Sequence, residues 1–338
     1  MTTIVMDFAW ASVILMVAKL IRVKVPFVQK LYIPTPLLAG MFAIILGPYC
    51  LNIIPFSDQV SSYAGVLMTV LACSLGLGKK GKSSFKTVMN NFGDQFLTNS
   101  VAYLSQWGIG LLLGLTLLPM IWPGINEWFG FMMPAGFAGG HGTAAALGGL
   151  FEAAGFTDAG SISITFATIG MLLGTFGGMV VINIGARKGW TAVVDKPSAL
   201  PEEFKSGLYR NADKRDSCGK QTICSMSMDT LSFHFMLVFV VALCSYKGAA
   251  LLKDLTTVNV PTFGLAMILS IVANKILNSV GAGEYVDEDL SGHIGGFLTD
   301  YLIFFGVATI NLTVVAQNWQ PLVFMSLIGL ATVLFYMW

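Results

Sequence analysis

The stretch Gly136-Phe137-Ala138-Gly139-Gly140-His141-Gly142-Thr143 lies at the centre of an apolar run, residues 126–154, where a regular helix is not expected. Pro134, just upstream, removes a backbone donor, and each glycine weakens helix propensity further. On either side the sequence is ordinary membrane-spanning material. Of the 338 residues, 55% are apolar and only 11% charged, and the mean hydropathy is +0.74. A water-soluble globule carries about 25% charged residues. The apolar residues come in runs of about twenty, the length a helix needs to cross the hydrocarbon core, and not in amphipathic stripes. The expected fold is an all-α integral membrane protein.

Spans are expected at residues 4–21, 34–54, 62–78, 94–118, 161–186, 230–252, 260–278, 294–314 and 321–338, besides the interrupted segment. Nineteen basic residues against eighteen acidic ones give a net charge of +1, so no global field draws in nucleic acid. Cys50, Cys73, Cys218, Cys224 and Cys244 have the spacing of neither a redox pair nor a zinc site. The N-terminal span has no basic n-region, so it is read as retained.

Charge placement orients the chain. Arg22, Lys24 and Lys30 follow the first span; Lys79, Lys80, Lys82 and Lys86 follow the third; eight basic residues between Arg187 and Lys220 follow the span at 161–186. Loops 55–61, 119–127 and 155–160 contain no Lys or Arg. The positive-inside rule puts the basic loops in the cytoplasm and the N-terminus outside. One crossing by residues 126–154 would push the loop 187–220 outside, so parity favours a re-entrant segment that enters and leaves on one face.

Ile33-Pro34-Thr35-Pro36-Leu37-Leu38-Ala39 and Val260-Pro261-Thr262-Phe263-Gly264-Leu265-Ala266 each open a span in opposite senses, the signature of an inverted repeat. Inverted repeats around a broken segment are the architecture of many secondary transporters. The expected organisation is a first repeat at 1–186, five spans plus the re-entrant segment; a cytoplasmic linker at 187–229; and an incomplete second repeat at 230–338.

The break also suggests chemistry. Irregular backbone persists at membrane depth only where protein or a water-filled cavity satisfies it. Thr143 can cap a half-helix through Ala144, Ala145, Ala146 and Leu147, whose free N–H groups attract a carboxylate. Carbonyls on the other side, at Ala138 and Gly139, can coordinate sodium. The alternative for the glycines is close helix packing, the role expected for Gly148, Gly149, Gly170, Gly174, Gly177 and Gly178. His141 is either a ligand or proton relay, or a residue that holds the turn. Thr165 and Thr168 either face the cavity or bond their own helix. Asp300, two turns into a span, is a site candidate by depth, with a structural or water-facing role as the alternative. Asp7, Lys19, Asp94 and Lys275 lie close enough to span ends to snorkel. Residues 76–83, Gly-Leu-Gly-Lys-Lys-Gly-Lys-Ser, match the P-loop pattern, but no strand and no soluble domain accompany them, so nucleotide binding is not expected.

The run Gly139-Gly140-His141-Gly142-Thr143-Ala144-Ala145, with Tyr32-Ile33-Pro34-Thr35-Pro36 and Ala167-Thr168-Ile169-Gly170-Met171-Leu172-Leu173-Gly174 followed by Gly177-Gly178, resembles the sodium/glutamate symporter family. The resemblance implies two inverted halves, a homodimer in the bacterial inner membrane, sodium as coupling ion, L-glutamate as substrate, and no enzymatic activity. Its substrate and ion site would comprise Gly139, Gly140, His141, Gly142, Thr143, Ala144, Thr165, Thr168 and Asp300. Symport of a 2-hydroxycarboxylate or other dicarboxylate, a channel on the same loop, or a transport-inactive product are the alternatives. The family pattern also implies a second glycine-rich segment where this sequence reaches Trp338.

Overall fold

A computed structural model describes residues 2–31, 33–48, 50–79, 85–190, 206–209, 211–256 and 260–337. Tyr32, the second half of the P-loop-like run, and Lys196, Lys205 and Arg210 of the basic loop fall outside them. The helices are α1 (Thr2–Lys24), α2 (Pro26–Leu31), α3 (Thr35–Leu46), α4 (Val60–Leu75), α5 (Phe85–Leu115), α6 (Leu117–Ile121), α7 (Phe129–Phe137), α8 (Gly140–Ala153), α9 (Ala159–Arg187), α10 (Thr230–Thr256), α11 (Thr262–Ser279), α12 (Glu288–Ala308), α13 (Leu312–Gln317) and α14 (Trp319–Met337). Short 3-10 turns lie at Ala212–Lys214 and Ala282–Tyr285. Among the described residues there is no strand.

Six helical stretches are long and apolar enough to cross a membrane: Thr2–Lys24, Phe96–Ile121, Thr230–Thr256, Thr262–Ser279, Glu288–Ala308 and Trp319–Tyr336. Thr35–Leu46, Val60–Leu75 and Ala159–Gly174 are apolar but shorter. The span expected at 34–54 stops at Leu46. Gly47 precedes Pro48, which bars the helical region to it, and it is extended at φ −81°, ψ −176°. The span expected at 294–314 also divides: α12 ends at Ala308, and Asn311 starts α13 by accepting from the Thr313 and Val314 amides at 3.0 and 3.5 Å. A short acceptor side chain at that position favours a new helix start over continuation. Pro34 and Pro261 precede α3 and α11 with matching φ of −57° and ψ of 137° and 117°.

The chain forms two compact units, each drawing segments from both halves of the sequence. In the first, residues 1–61, 98–215 and 303–338, the core gathers Leu118, Phe129, Met132, Met133, Phe156, Ile162, Phe166, Leu322 and Met325. Phe8 packs edge-on to Phe305 with centroids 4.9 Å apart. A Cβ at Gly40 would lie 2.6 Å from that of Val307, so a side chain there would force α3 away. Asp7 does not snorkel. It is 1% exposed and accepts from the Ser57 amide at 3.0 Å and hydroxyl at 2.5 Å, fastening α1 to the extended chain after α3.

The second unit, residues 62–97 and 216–302, is built on equally close contacts. Gly76 abuts Ser270 and Ile271, and Gly78, at φ +76°, lies against Glu288. Asn274 accepts from the Gly78 amide at 3.2 Å and donates to the Lys79 carbonyl at 3.0 Å. The described glycines of the P-loop-like run are therefore packing residues. His234, 1% exposed, lies 2.7 Å from the Thr230 carbonyl through Nδ1 and accepts from the Asp287 amide at 2.8 Å through Nε2.

Residues 126–154 form a hairpin. In one continuous helix Trp128 and Phe151 would stand about 34 Å apart; their rings lie 5.4 Å apart, and Phe131 lies 5.4 Å from Phe151. The start of α7 thus meets the end of α8, and Phe156, in the turn after α8, joins the core around Phe129. The two ends of the segment therefore lie together, the arrangement that charge parity favours. With the exposed native cysteines replaced by serine, cysteines at Glu127 and Thr157 are expected to react with a membrane-impermeant maleimide from the same side of sealed vesicles; labelling from opposite sides would mean a crossing.

Candidate functional site

The hairpin is held by residues too small to be side-chain neighbours. A Cβ on Gly130 would lie 2.7 Å from the Cα of Gly114 on α5, and one on Gly136 would lie 2.6 Å from the Ala167 amide nitrogen on α9. Gly148 on α8 meets the Cα of Gly160 on α9 at 2.6 Å in the same sense. Close backbone approach of this kind is how membrane helices gain dispersion contact without a hydrophobic drive between them. Gly170 also packs, against Phe137. At Gly149, Gly174, Gly177 and Gly178 a Cβ meets nothing within 4 Å among the described residues.

At the tip, the Pro134 carbonyl accepts from the Ala138 amide at 3.2 Å and the Gly139 amide at 3.0 Å, ending α7. Gly140, at φ +72°, then turns the chain in a conformation that L-residues with a side chain rarely adopt. This moves the start of α8. Gly139 occupies the cap position with no side-chain bond, and α8 begins at Gly140, three residues before Thr143. Thr143 is therefore not a cap: it lies in the first turn, packed where a Cβ on Gly139 would stand 2.7 Å from its own. A left-handed glycine can begin the helix earlier than a threonine cap, and here it does.

His141 is 3% exposed, and its Nε2 lies 3.1 Å from Thr168 Oγ1 on α9. That hydroxyl also bonds the Ile164 carbonyl at 3.0 Å. A hydroxyl has one hydrogen; with it given to Ile164, Thr168 accepts, and His141 donates from Nε2. The neutral ring then carries a bare lone pair on Nδ1, buried and without a hydrogen-bond partner among the described residues. That acceptor belongs to the first turn of α8, whose leading N–H groups have no intrahelical acceptor.

Of the other expected residues, Gly139, Gly140, Gly142 and Ala144 belong to the same turn. The Ala144 carbonyl accepts from Ser163 Oγ at 2.8 Å. Ser163 is fully buried and joins α8 to α9, a role the sequence analysis did not anticipate. Thr165 spends its hydroxyl on its own helix, on the Ser161 carbonyl at 2.6 Å. Asp300 is an exposed residue of the second unit. No group of three or more His, Cys, Asp or Glu side chains that could hold a metal ion occurs among the described residues.

On the opposite face of α9, Phe137 and Ala138 of the hairpin tip border a cavity of about 460 Å³. Its walls include Asn99, Tyr103 and Gln106 of α5, the open glycines Gly174, Gly177 and Gly178, and Leu330, Val333 and Leu334 of α14. That volume lies within the range of about 300–1,000 Å³ usual for small-molecule sites. None of the described residues bordering it is charged.

The sequence model of sodium/glutamate symporters matches residues 2–337. Comparison with curated proteins and with solved structures gave no match.

Thr168→Val removes the acceptor of a buried N–H and should lower stability by about 1–3 kcal/mol, read as a lower Tm in detergent. Thr165→Val, which removes only a bond to its own helix, should change Tm far less.

Proposed function

The chain belongs to the sodium/glutamate symporter family, and from that premise we propose that the α7–α8 hairpin holds the transported glutamate and its coupling ion. The family's activity is sodium-coupled symport of glutamate across a membrane, and this is a multi-pass membrane protein. The observation that carries the site assignment is the bare Nδ1 of His141. A lone pair repels a carboxylate and attracts a donor, so Nδ1 takes the α-ammonium of the amino acid. A carboxylate of the same molecule lies against the leading N–H groups of α8, where the positive end of the helix dipole favours it.

Sodium belongs at the other helix end. The carbonyls of Ala138 and Gly139 follow the end of α7, whose dipole is negative there. Opposite helix ends meeting at residues 138–140 hold charges of both signs side by side without burying an ionised side chain, which lipid penalises heavily. Transport then proceeds by alternating access, with repeats at 1–186 and 230–338 in inverted orientation, joined by the cytoplasmic segment 187–229. The paired proline entries to α3 and α11 support that repeat. A homodimer in the bacterial inner membrane, with its N-terminus outside, completes the reading.

Proteoliposomes carrying the purified protein are expected to take up labelled glutamate down an imposed sodium gradient and not down a potassium gradient. Loss of one hydrogen bond to a charged group is worth about 1.5–3 kcal/mol, so His141→Ala should lower glutamate affinity roughly ten- to hundredfold. Wild-type affinity in that variant would remove His141 from the site. Gly140→Val, which forces a β-branched residue into the left-handed region, should abolish glutamate binding while the protein still inserts.

A further inference from the structure

Gln106, Gly110 and Gly114 stand four residues apart on α5 and share one face. Gly114 meets Glu127 and Gly130, and Gly110 meets Gly130 and Pro134, so α5 runs antiparallel to α7. The next turn of this ladder sets Gln106 beside the last turn of α7, and Gln106 lines the cavity together with Phe137 and Ala138. Gln106 is 2% exposed and lies near the centre of the span Phe96–Ile121. Its Nε2 donates to the Gly329 carbonyl at 3.2 Å, which fixes the amide's orientation, since the reverse would set two acceptors against each other. Oε1 is left buried with no hydrogen-bond partner among the described residues. An amide oxygen stranded at that depth is costly and marks a functional position.

We propose that Gln106 Oε1 is a ligand of the coupling cation, completing with the terminal carbonyls of α7 a site made of neutral oxygens. A hard monovalent cation prefers oxygen donors. Among the described residues no charged side chain borders the cavity, so the negative end of the α7 dipole, with neutral side-chain oxygens, favours a cation there, and an anionic substrate gains nothing. The open face of Gly174, Gly177 and Gly178 leaves the approach clear. This inference rests on the reading of the protein as a sodium-coupled symporter, but its oxygen ligand is separate from the His141 substrate contact.

The test compares Gln106→Leu, with Gln106→Met as a second apolar variant, against the wild-type full chain in sodium chloride and in choline chloride at equal ionic strength. Both variants should melt no lower than wild type in choline, because a stranded polar group is gone. Sodium should raise the wild-type Tm, and the variants should need about tenfold more sodium for the same rise. In proteoliposomes, the sodium concentration for half-maximal glutamate uptake should rise about tenfold, with glutamate KM at saturating sodium unaltered. Gln106→Glu, which keeps an oxygen, should retain a sodium response. A wild-type protein without a sodium-specific Tm shift, or apolar variants whose shift keeps the wild-type sodium dependence, overturns the proposal. So does a raised glutamate KM with the sodium response intact, which would place the substrate ammonium at this oxygen. His141→Ala separates the two readings: it should lose glutamate affinity and keep the sodium-specific shift, and if it keeps affinity only the substrate contact fails.

Discussion

Backbone hydrogen bonding in lipid governs this structure. A peptide group at membrane depth finds no water, so a chain that interrupts its helix there must satisfy or use what it releases. The hairpin makes the interruption at Ala138–Gly140, where α7 gives up its last carbonyls and α8 presents its first amides. Most of the first unit's packing around the tip can be understood as support for those few peptides: the glycine contacts at 130, 136 and 148, the buried Ser163 that ties α8 to α9, and the threonine that orients His141.

The same residue type serves two opposite ends in this support. On α9, Gly160 and Gly170 admit neighbouring helices, while one and two turns beyond Gly170 the glycines at 174, 177 and 178 border empty volume. Amino-acid type alone does not separate these roles, because what distinguishes them is whether another helix arrives. Of the six glycines expected to pack, Gly148 and Gly170 do, while Gly149, Gly174, Gly177 and Gly178 meet no neighbour among the described residues.

Membrane character and the hairpin were legible because they rest on quantities a sequence carries directly: composition, run length and the parity of basic loops. The position of the break was legible from its glycines, but the start of α8 was not, because cap preference points to Thr143 and the left-handed Gly140 acts three residues earlier. Thr165 and Thr168 look alike in sequence, and only the arrival of α8 gives one of them a histidine partner. Gln106 lies within a long unbroken helix, and its stranded oxygen exists only because Gly329 takes the other half of the amide. The division at Asn311 was visible in principle as a cap residue but was hidden inside an apolar run long enough to cross.

The glycine contacts between the hairpin and α9 have a mechanical consequence. Gly136 against Ala167 and Gly148 against Gly160 behave like teeth of a rack: a slip of one residue would bring a side chain to a place where a single carbon already collides. Sliding of the hairpin along α9 is thereby locked, and the ring cluster of Trp128, Phe131 and Phe151 holds the hairpin's two legs together at its base. Any displacement of the tip would therefore carry α7, α8 and the packed part of α9 with it as one block.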